Sequence, residues 1–145
     1  MYYYDRMTGD SVAERRRFSY EWARYELGAL HLVPPTEEAL NADVRSSPYE
    51  SLGIMEAWYL GKNCFLEDNF ILKRLSRMPD VPTYIVQGRY DMICPPVTAY
   101  RLKSELEKLG YKPSMQMVVA GHSSSDPEIR KHLVRAVDGL ADILR

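Results

Sequence analysis

The sequence has little of several features that mark whole classes of protein. Of its 145 residues only two are cysteines, Cys64 and Cys94, too few for a disulfide scaffold or a four-ligand zinc site. Its 19 basic and 20 acidic residues give a net charge of -1, so composition offers no basic surface for nucleic acid. No apolar run approaches the roughly 18 residues of a membrane span, and the first residues lack a signal-peptide core. These absences predict a cytoplasmic protein that binds neither nucleic acid nor membranes.

The first part of the chain has the periodicity of helices. Ser11 and Glu14 form the pattern of a capping box, which predicts a helix start in which each side chain satisfies the other's free backbone N–H. The apolar face of this helix recurs at three- and four-residue steps: Phe18, Trp22, Tyr25 and Ala29. Three more helix starts are predicted at Thr36, at Ser47-Pro48 and at Asp68, the last for a helix carrying Leu72 and Leu75. We therefore expect an all-helical segment over residues 1–78.

From residue 79 onward the pattern changes to strands alternating with helices. A β-branched and aromatic run predicts a strand over residues 81–86 and a second over 115–119, each soon followed by glycine. Helices are predicted to begin at Pro95-Pro96, ending at Gly110, and at Asp126-Pro127. The short connections imply a right-handed crossover and a parallel pair of strands. Because two parallel strands form no stable sheet alone, residues 79–145 are predicted to be the end of a larger α/β fold.

Each predicted strand is followed by an ionisable side chain, Asp91 after the first and His122 after the second. The carboxyl ends of neighbouring parallel strands meet at one edge of a sheet, so we expect the two side chains to lie within hydrogen-bond reach. A carboxylate that accepts from Nδ1 orients an imidazole and leaves Nε2 to take a proton. Either residue alone is more typical of a turn or loop; the pair together favours acid–base chemistry.

A nucleophile to accompany this pair is not evident. The string G-D-S-V-A around Ser11 meets four of the five positions of the G-x-S-x-G elbow, but no apolar strand precedes it, and Ser11 is interpreted as a helix cap. Ser123 follows a predicted strand, but Ser125 replaces the second glycine of the elbow. No H-G-G-type oxyanion loop occurs in these residues. The sequence thus contains the acid and the base of a triad without its serine.

These same residues resemble a known family. The segment 81–95, with the string G-R-Y-D-M-I-C-P, and the string A-G-H-S at 120–123 are similar to the C-terminal part of the proline iminopeptidases (prolyl aminopeptidases). Residues 133–139 resemble the last helix of that family, and residues 3–10 resemble the start of its helical cap. The resemblance implies an α/β class: a C-terminal βαβα part of an α/β-hydrolase sheet over 79–145, preceded by an all-helical cap segment over 1–78.

The resemblance also implies roles for four residues. Asp91 and His122 would be the acid and base of a serine peptidase. Glu56, in E-A-W-Y-L, and Glu26, in W-A-R-Y-E, would bind the protonated N-terminal amine of the substrate, since they are similar to the family strings E-N-H-Y-F and W-x-x-W-E. Four neighbours depart from those strings: Ala57, Trp58, Leu60 and Tyr25. Exposed helix glutamates are the alternative for both, and no cofactor or metal is implied.

The expected function is serine-type release of N-terminal proline from peptides, with this chain alone inactive because it lacks the nucleophile and the oxyanion loop. Two alternatives remain open. Another α/β-hydrolase, an esterase or epoxide hydrolase, would use the same Asp and His, but a neutral substrate would give Glu26 and Glu56 nothing to pair with. An inactive fragment is the other alternative. Because half a sheet leaves an unpaired edge, we expect self-association or pairing with the missing N-terminal half.

Overall fold

The computed structural model describes residues 2–143, which form two compact units. The first unit comprises the residues up to Gly28 together with Pro34–Phe70, and the second comprises Ala29–Val33 together with the residues from Ile71 onward. The segment Ala29–Val33 therefore interrupts the first unit in sequence and belongs to the second. None of the described helices combines the length and the apolar character needed to cross a bilayer.

The first unit is helical. Its α-helices are α1 (Tyr2–Thr8), α2 (Val12–Ala29), α3 (Glu37–Ser46) and α4 (Tyr49–Leu60), followed by a 3₁₀ turn at Asn63–Phe65. The starts predicted at Ser11 and Thr36 are confirmed, because Ser11 Oγ accepts from the N–H of Glu14 at 3.3 Å and Thr36 Oγ1 accepts from that of Ala39 at 3.3 Å. The second half of the capping box is not formed. The Glu14 carboxylate instead accepts from the guanidinium of Arg6 at 2.7 Å, a charged donor that is stronger than a backbone N–H.

The first unit has a small apolar core. Its buried members are Ala23, Leu40 and Val44, and half-buried Tyr20, Leu27 and Tyr49 pack around them. A separate close approach involves Gly53 of α4, where an added Cβ would lie 3.2 Å from Sδ of the fully buried Met7 and 3.5 Å from Trp22. The small residue lets α1, α2 and α4 come together around Met7.

The prediction that a helix begins at Asp68 is wrong. The N–H of Phe70 bonds to the carbonyl of Glu67 at 3.1 Å, which closes a turn, and Asn69 has a φ of 58°. That left-handed conformation cannot continue a right-handed helix, so Asp68 caps nothing. A 3₁₀ helix, Leu72–Arg77, begins only after the turn and buries Leu75.

The second unit contains the strand and helix alternation. Its elements are β1 (Tyr84–Gly88), α5 (Pro96–Lys108), β2 (Ser114–Val118) and α6 (Pro127–Ile143). The strands pair in parallel, with Tyr84 opposite Ser114 and Gly88 opposite Val118, which confirms the predicted parallel pair. The core of this unit is formed by buried Val118, Ala120 and Ile129, with half-buried Val86 packed on them.

The predicted ends of the helices of the second unit are also observed. Gly110, just past α5, has a φ of 89°, which a residue without a Cβ adopts most readily. At the start of α6, Asp126 Oδ1 accepts from the N–H of Glu128 at 3.1 Å. Both helices contact β1, so the strand that leads into the Asp91 loop is covered by helices.

Candidate active site

The loops after β1 and β2 lie side by side. The backbone pairing continues past the strands, because the N–H of Arg89 bonds to the carbonyl of Val118 at 2.8 Å and that of Tyr90 to Ala120 at 3.0 Å. As a result, Oδ2 of Asp91 lies 3.0 Å from Nδ1 of His122. The proximity predicted from the two strand ends is therefore confirmed.

The carboxylate of Asp91 is buried, with 7% of the residue exposed, and is surrounded by donors. Oδ1 accepts from the N–H groups of Ile93 at 3.0 Å and Cys94 at 2.7 Å. Burial by itself raises the pKa of Asp91, but the bond from the Cys94 N–H, the bond and charge of His122 and the bond from Ile93 together outweigh it. The net pKa is lowered. Asp91 is thus an ionised acceptor at neutral pH, and Nδ1 of His122 is the donor between them.

The His122 loop is held from a distant part of the sequence. The N–H groups of His122 and Ser123 both donate to the carbonyl of Leu30, at 2.7 and 3.0 Å. Gly121 packs on the same segment so closely that an added Cβ would lie 2.5 Å from the Leu30 carbonyl oxygen. Leu30 lies in the segment Ala29–Val33, which belongs to the same unit as the loop. The backbone at His122 is therefore held by β2, which precedes it in sequence, and by the hydrogen bonds to Leu30.

The two serines considered as nucleophiles make local hydrogen bonds. Ser11 Oγ accepts from the N–H of Glu14, as a helix cap does. Ser123 Oγ lies 2.7 Å from Ser125 Oγ and accepts from the N–H of Ser125 at 3.2 Å, which closes a tight turn before α6. Each hydroxyl thus has a local structural explanation.

The two candidate amine-binding glutamates lie in the first unit. Glu56 on α4 is half-buried, and its Oε2 accepts from the indole Nε1 of Trp22 at 2.7 Å. Glu26 on α2 lines a cavity of about 400 Å³ whose walls are Tyr3, Glu21, Trp22, Tyr25, Glu26 and Leu60. Trp22 therefore contacts Glu56 and also lines the cavity of Glu26. The binding role of both glutamates stays a prediction.

Two residues important to this geometry were not predicted from the sequence. Gln87 donates to Oδ2 of Asp91 at 3.1 Å, and its signal was an amide side chain at the end of a predicted buried strand. Leu30 supplies its carbonyl oxygen, and no side-chain pattern reports such a contact. Among residues 2–143 no three His, Cys, Asp or Glu side chains are grouped so that they could hold a metal ion.

No family model matches the chain. Individual relatives do. It is 31% identical over 141 residues to a proline iminopeptidase of Xanthomonas citri, an alignment that covers 96% of this chain and 44% of the relative. It is 33% identical over 122 residues to a proline iminopeptidase of Neisseria gonorrhoeae, covering 82% of this chain and 36% of the relative. With a proline iminopeptidase of Arabidopsis thaliana it shares 27% identity, covering 92% and 34%.

The similarity extends over almost all of this chain, whereas the chain spans less than half the length of the curated relatives it matches. The resemblance noted from the G-R-Y-D and A-G-H-S strings is confirmed by these comparisons. The chain is therefore homologous to the proline iminopeptidases over nearly its whole length.

Proposed function

We propose that the chain provides the general base and its carboxylate partner in a serine-type peptidase that releases N-terminal proline from peptides. The observation that carries the proposal is the 3.0 Å contact between Asp91 Oδ2 and His122 Nδ1, at the carboxyl ends of two parallel neighbouring strands. The names of the relatives support the substrate class. In this proposal residues 79–145 form the last part of an α/β-hydrolase sheet. Residues 1–78 form its helical cap, apart from Ala29–Val33 and the residues from Ile71 onward, which belong to the second unit.

The proposed chemistry assigns one proton pathway to His122. A serine hydroxyl attacks the carbonyl carbon of the N-terminal prolyl residue, and Nε2 of His122 takes the hydroxyl proton. The same proton then passes to the departing amine, and a water molecule repeats the sequence on the acyl-enzyme. Asp91, ionised and buried, keeps the proton of the neutral imidazole on Nδ1 and stabilises the imidazolium that forms.

The serine and the oxyanion donors are proposed to come from outside these 145 residues. Ser11 and Ser123 are committed to local hydrogen bonds, and the chain spans only 34 to 44% of three matched relatives. Chemistry at Asp91 and His122 therefore requires a further polypeptide segment. The chain alone is expected to be inactive.

The proposed contact with the substrate amine uses Glu56 and Glu26. A carboxylate beside aromatic rings attracts an ammonium group through charge and through cation–π interaction. The Trp22 indole holds Oε2 of Glu56 in a fixed position, and Glu26 shares its cavity with Trp22 and two tyrosines. A protonated prolyl N-terminus is a ligand of matching charge.

The test uses two proteins. The isolated chain should not release the chromophore from a prolyl chromogenic amide. In the second protein, the part of the Xanthomonas citri relative that this chain matches is replaced by the chain itself, and this chimera should release proline. His122→Ala in the chimera should abolish turnover, whereas His132→Ala on α6, a histidine near Glu128, should leave it unchanged.

Two outcomes would contradict the proposal. If the isolated chain hydrolyses the amide and Ser11→Ala or Ser123→Ala stops the reaction, the nucleophile lies within these residues. If a folded chimera hydrolyses simple esters or epoxides but no prolyl amide, the chain belongs with another hydrolase chemistry.

A further inference from the structure

The side-chain amide of Gln87 lies at the centre of the loop that carries Asp91. Its Nε2 is 3.1 Å from Oδ2 of Asp91, 3.1 Å from the carbonyl oxygen of Cys94 and 3.1 Å from that of Gly88. Two of these oxygens are carbonyls and the third belongs to an ionised carboxylate, so all three only accept hydrogen bonds. The amide must therefore present its NH₂ group, and not its oxygen, to this cluster.

The contacts of Gln87 restrict the Asp91 carboxylate. The Ile93 and Cys94 N–H groups hold Oδ1, and Gln87 with His122 holds Oδ2, so rotation of the carboxylate would break bonds at both oxygens. The bond from Gln87 to the Cys94 carbonyl also ties the end of β1 to the residues just before α5. One amide thus fixes both the orientation of the carboxylate and the shape of its loop.

We propose that Gln87 is a positioning residue that directs Oδ2 of Asp91 at Nδ1 of His122 and so selects the Nδ1–H tautomer of the imidazole. Only this tautomer leaves Nε2 unprotonated as a base. The catalytic consequence rests on the proposed function. The tautomer itself is a property of the 145-residue chain and is measurable without any substrate.

A merely structural amide would behave differently. If Gln87 only stabilised the loop, its removal would lower the free energy of unfolding but leave the imidazole tautomer as it is in the folded protein. The ¹⁵N chemical shifts of the two ring nitrogens of His122 distinguish these roles, because they show which nitrogen carries the proton.

The experiment is a long-range ¹H–¹⁵N correlation on the labelled full chain at about pH 8.5, where an ordinary histidine is neutral. His122→Ala assigns the His122 signals among the three histidines. The wild type should show the Nδ1–H form. Gln87→Met, which keeps the side-chain length and removes both donors, should shift the population toward Nε2–H. Gln116→Met, the same change at an exposed position of β2, should leave the spectrum of His122 unchanged.

Two further variants secure the interpretation. In an Asp91→Ala background, Gln87→Met should cause no additional change, because its effect passes through the carboxylate. Gln87→Asn keeps the amide but is one methylene too short, and it should behave like Gln87→Met. A folded Gln87→Met or Gln87→Asn protein with the wild-type tautomer overturns the proposal. Loss of the fold in both variants also overturns it, since the amide would then be a structural tie.

The chimera supplies an independent readout. There Gln87→Met should lower kcat by about tenfold or more, while KM changes by less than about twofold, because the amide is proposed to act on the reaction only through Asp91 and His122. An inactive chimera together with the predicted tautomer shift counts against the proposed function alone. An active chimera with an unchanged tautomer counts against the role of Gln87 alone.

Discussion

A methyl group added at Gly88 would lie 1.9 Å from the carbonyl oxygen of Gly121. It would also lie 2.8 Å from the carbonyl oxygen of Ala120. These neighbours are backbone atoms, so no side-chain rotation relieves the contact. The absence of a side chain at the end of β1 is therefore what allows the Asp91 loop and the His122 loop to approach each other.

Gly88→Ala is expected to lower the free energy of unfolding by about 3 kcal/mol, because the overpacked strand ends must move apart. Urea unfolding followed by circular dichroism measures the loss. Gly139→Ala on α6 is the matched control: the nearest atom to its new Cβ is Tyr84 Oη at 3.9 Å, and alanine should be neutral or stabilise the helix by up to about 1 kcal/mol. If the wild type and Gly88→Ala unfolded at the same urea concentration, the conclusion that no side chain fits at residue 88 would be contradicted.

Asp91 should make stability depend on pH. Its pKa is lowered in the folded chain, despite burial, by the bonds from Cys94, His122 and Ile93. The carboxylate therefore contributes stability above its unfolded pKa of about 3.9, and this contribution is lost as pH falls through the lower folded value. The free energy of unfolding of the wild type relative to Asp91→Asn should be greatest above about pH 5 and should shrink below about pH 4.

Urea titrations between pH 7 and pH 3 provide the measurement for this pH dependence. The exposed carboxylate of Asp80 serves as the control, since Asp80→Asn should leave the acid-dependent loss of the wild type in place. If the free energy of unfolding of Asp91→Asn depended on pH in the same way as that of the wild type, the hydrogen bonds to the Asp91 carboxylate would make no pH-dependent contribution to stability.

The outer edge of β1 should drive self-association. The backbone groups of Thr83 and Arg89 bond to β2, through the N–H of Ser114 and the carbonyl of Val118. Because alternate residues of a strand bond to the same neighbour, the backbone groups of Tyr84 and Val86 point away from β2. Among the described residues the sheet has two strands, and this edge has no strand beside it. Light scattering of the isolated chain should therefore give a mass above that of the monomer.

Tyr84→Pro tests which edge is responsible. Proline removes an N–H that faces the outer edge and spares the bonds to β2, so it should shift the isolated chain toward the monomer. Tyr84→Phe keeps the N–H and should remain associated. A wild-type chain that is monodisperse and monomeric would refute the prediction.

Glu56→Gln in the chimera should raise KM for substrates with a protonated N-terminus by about tenfold or more, because it removes a charged partner of the amine. Neutral esters should be hydrolysed at an unchanged rate. Glu50→Gln on the same helix is the control, since Glu50 pairs with Arg16 at 3.4 Å. An equal loss on both substrate types would assign Glu56 to the packing of Trp22 instead of substrate binding.

Local chemistry explains what the sequence predicted well. Gly110 and Asp126-Pro127 act within a few residues of themselves, and the structure has a helix end and a helix start at those positions. The meeting of Asp91 and His122 followed from one topological rule, that parallel neighbouring strands end at the same edge. Such inferences require only neighbours in sequence or the order of strands.

The failures have a different physical origin. Asp68 is a residue type that often caps helices, but the left-handed conformation of Asn69 prevents the residues after Asp68 from starting a helix. The support from Leu30 was missed because a backbone carbonyl is common to every residue, so nothing distinguishes Leu30 from its neighbours. Gln87 was visible as a polar residue directly after the predicted strand over residues 81–86, yet its three acceptors are known only once the loop is folded.

The hydrogen bonds from His122 and Ser123 to Leu30 join positions roughly 90 residues apart, so the His122 loop depends on a contact that is distant in sequence. They also limit how the polypeptide can be dissected. A truncated protein that starts at residue 79 would keep both strands, both helices, Asp91 and His122, yet the His122 loop would lose the acceptor for two N–H groups and the surface on which Gly121 rests. Any shortened version of this unit must therefore include residues 29–33. They can be kept together with the helices that follow them in sequence, or added as a separate peptide.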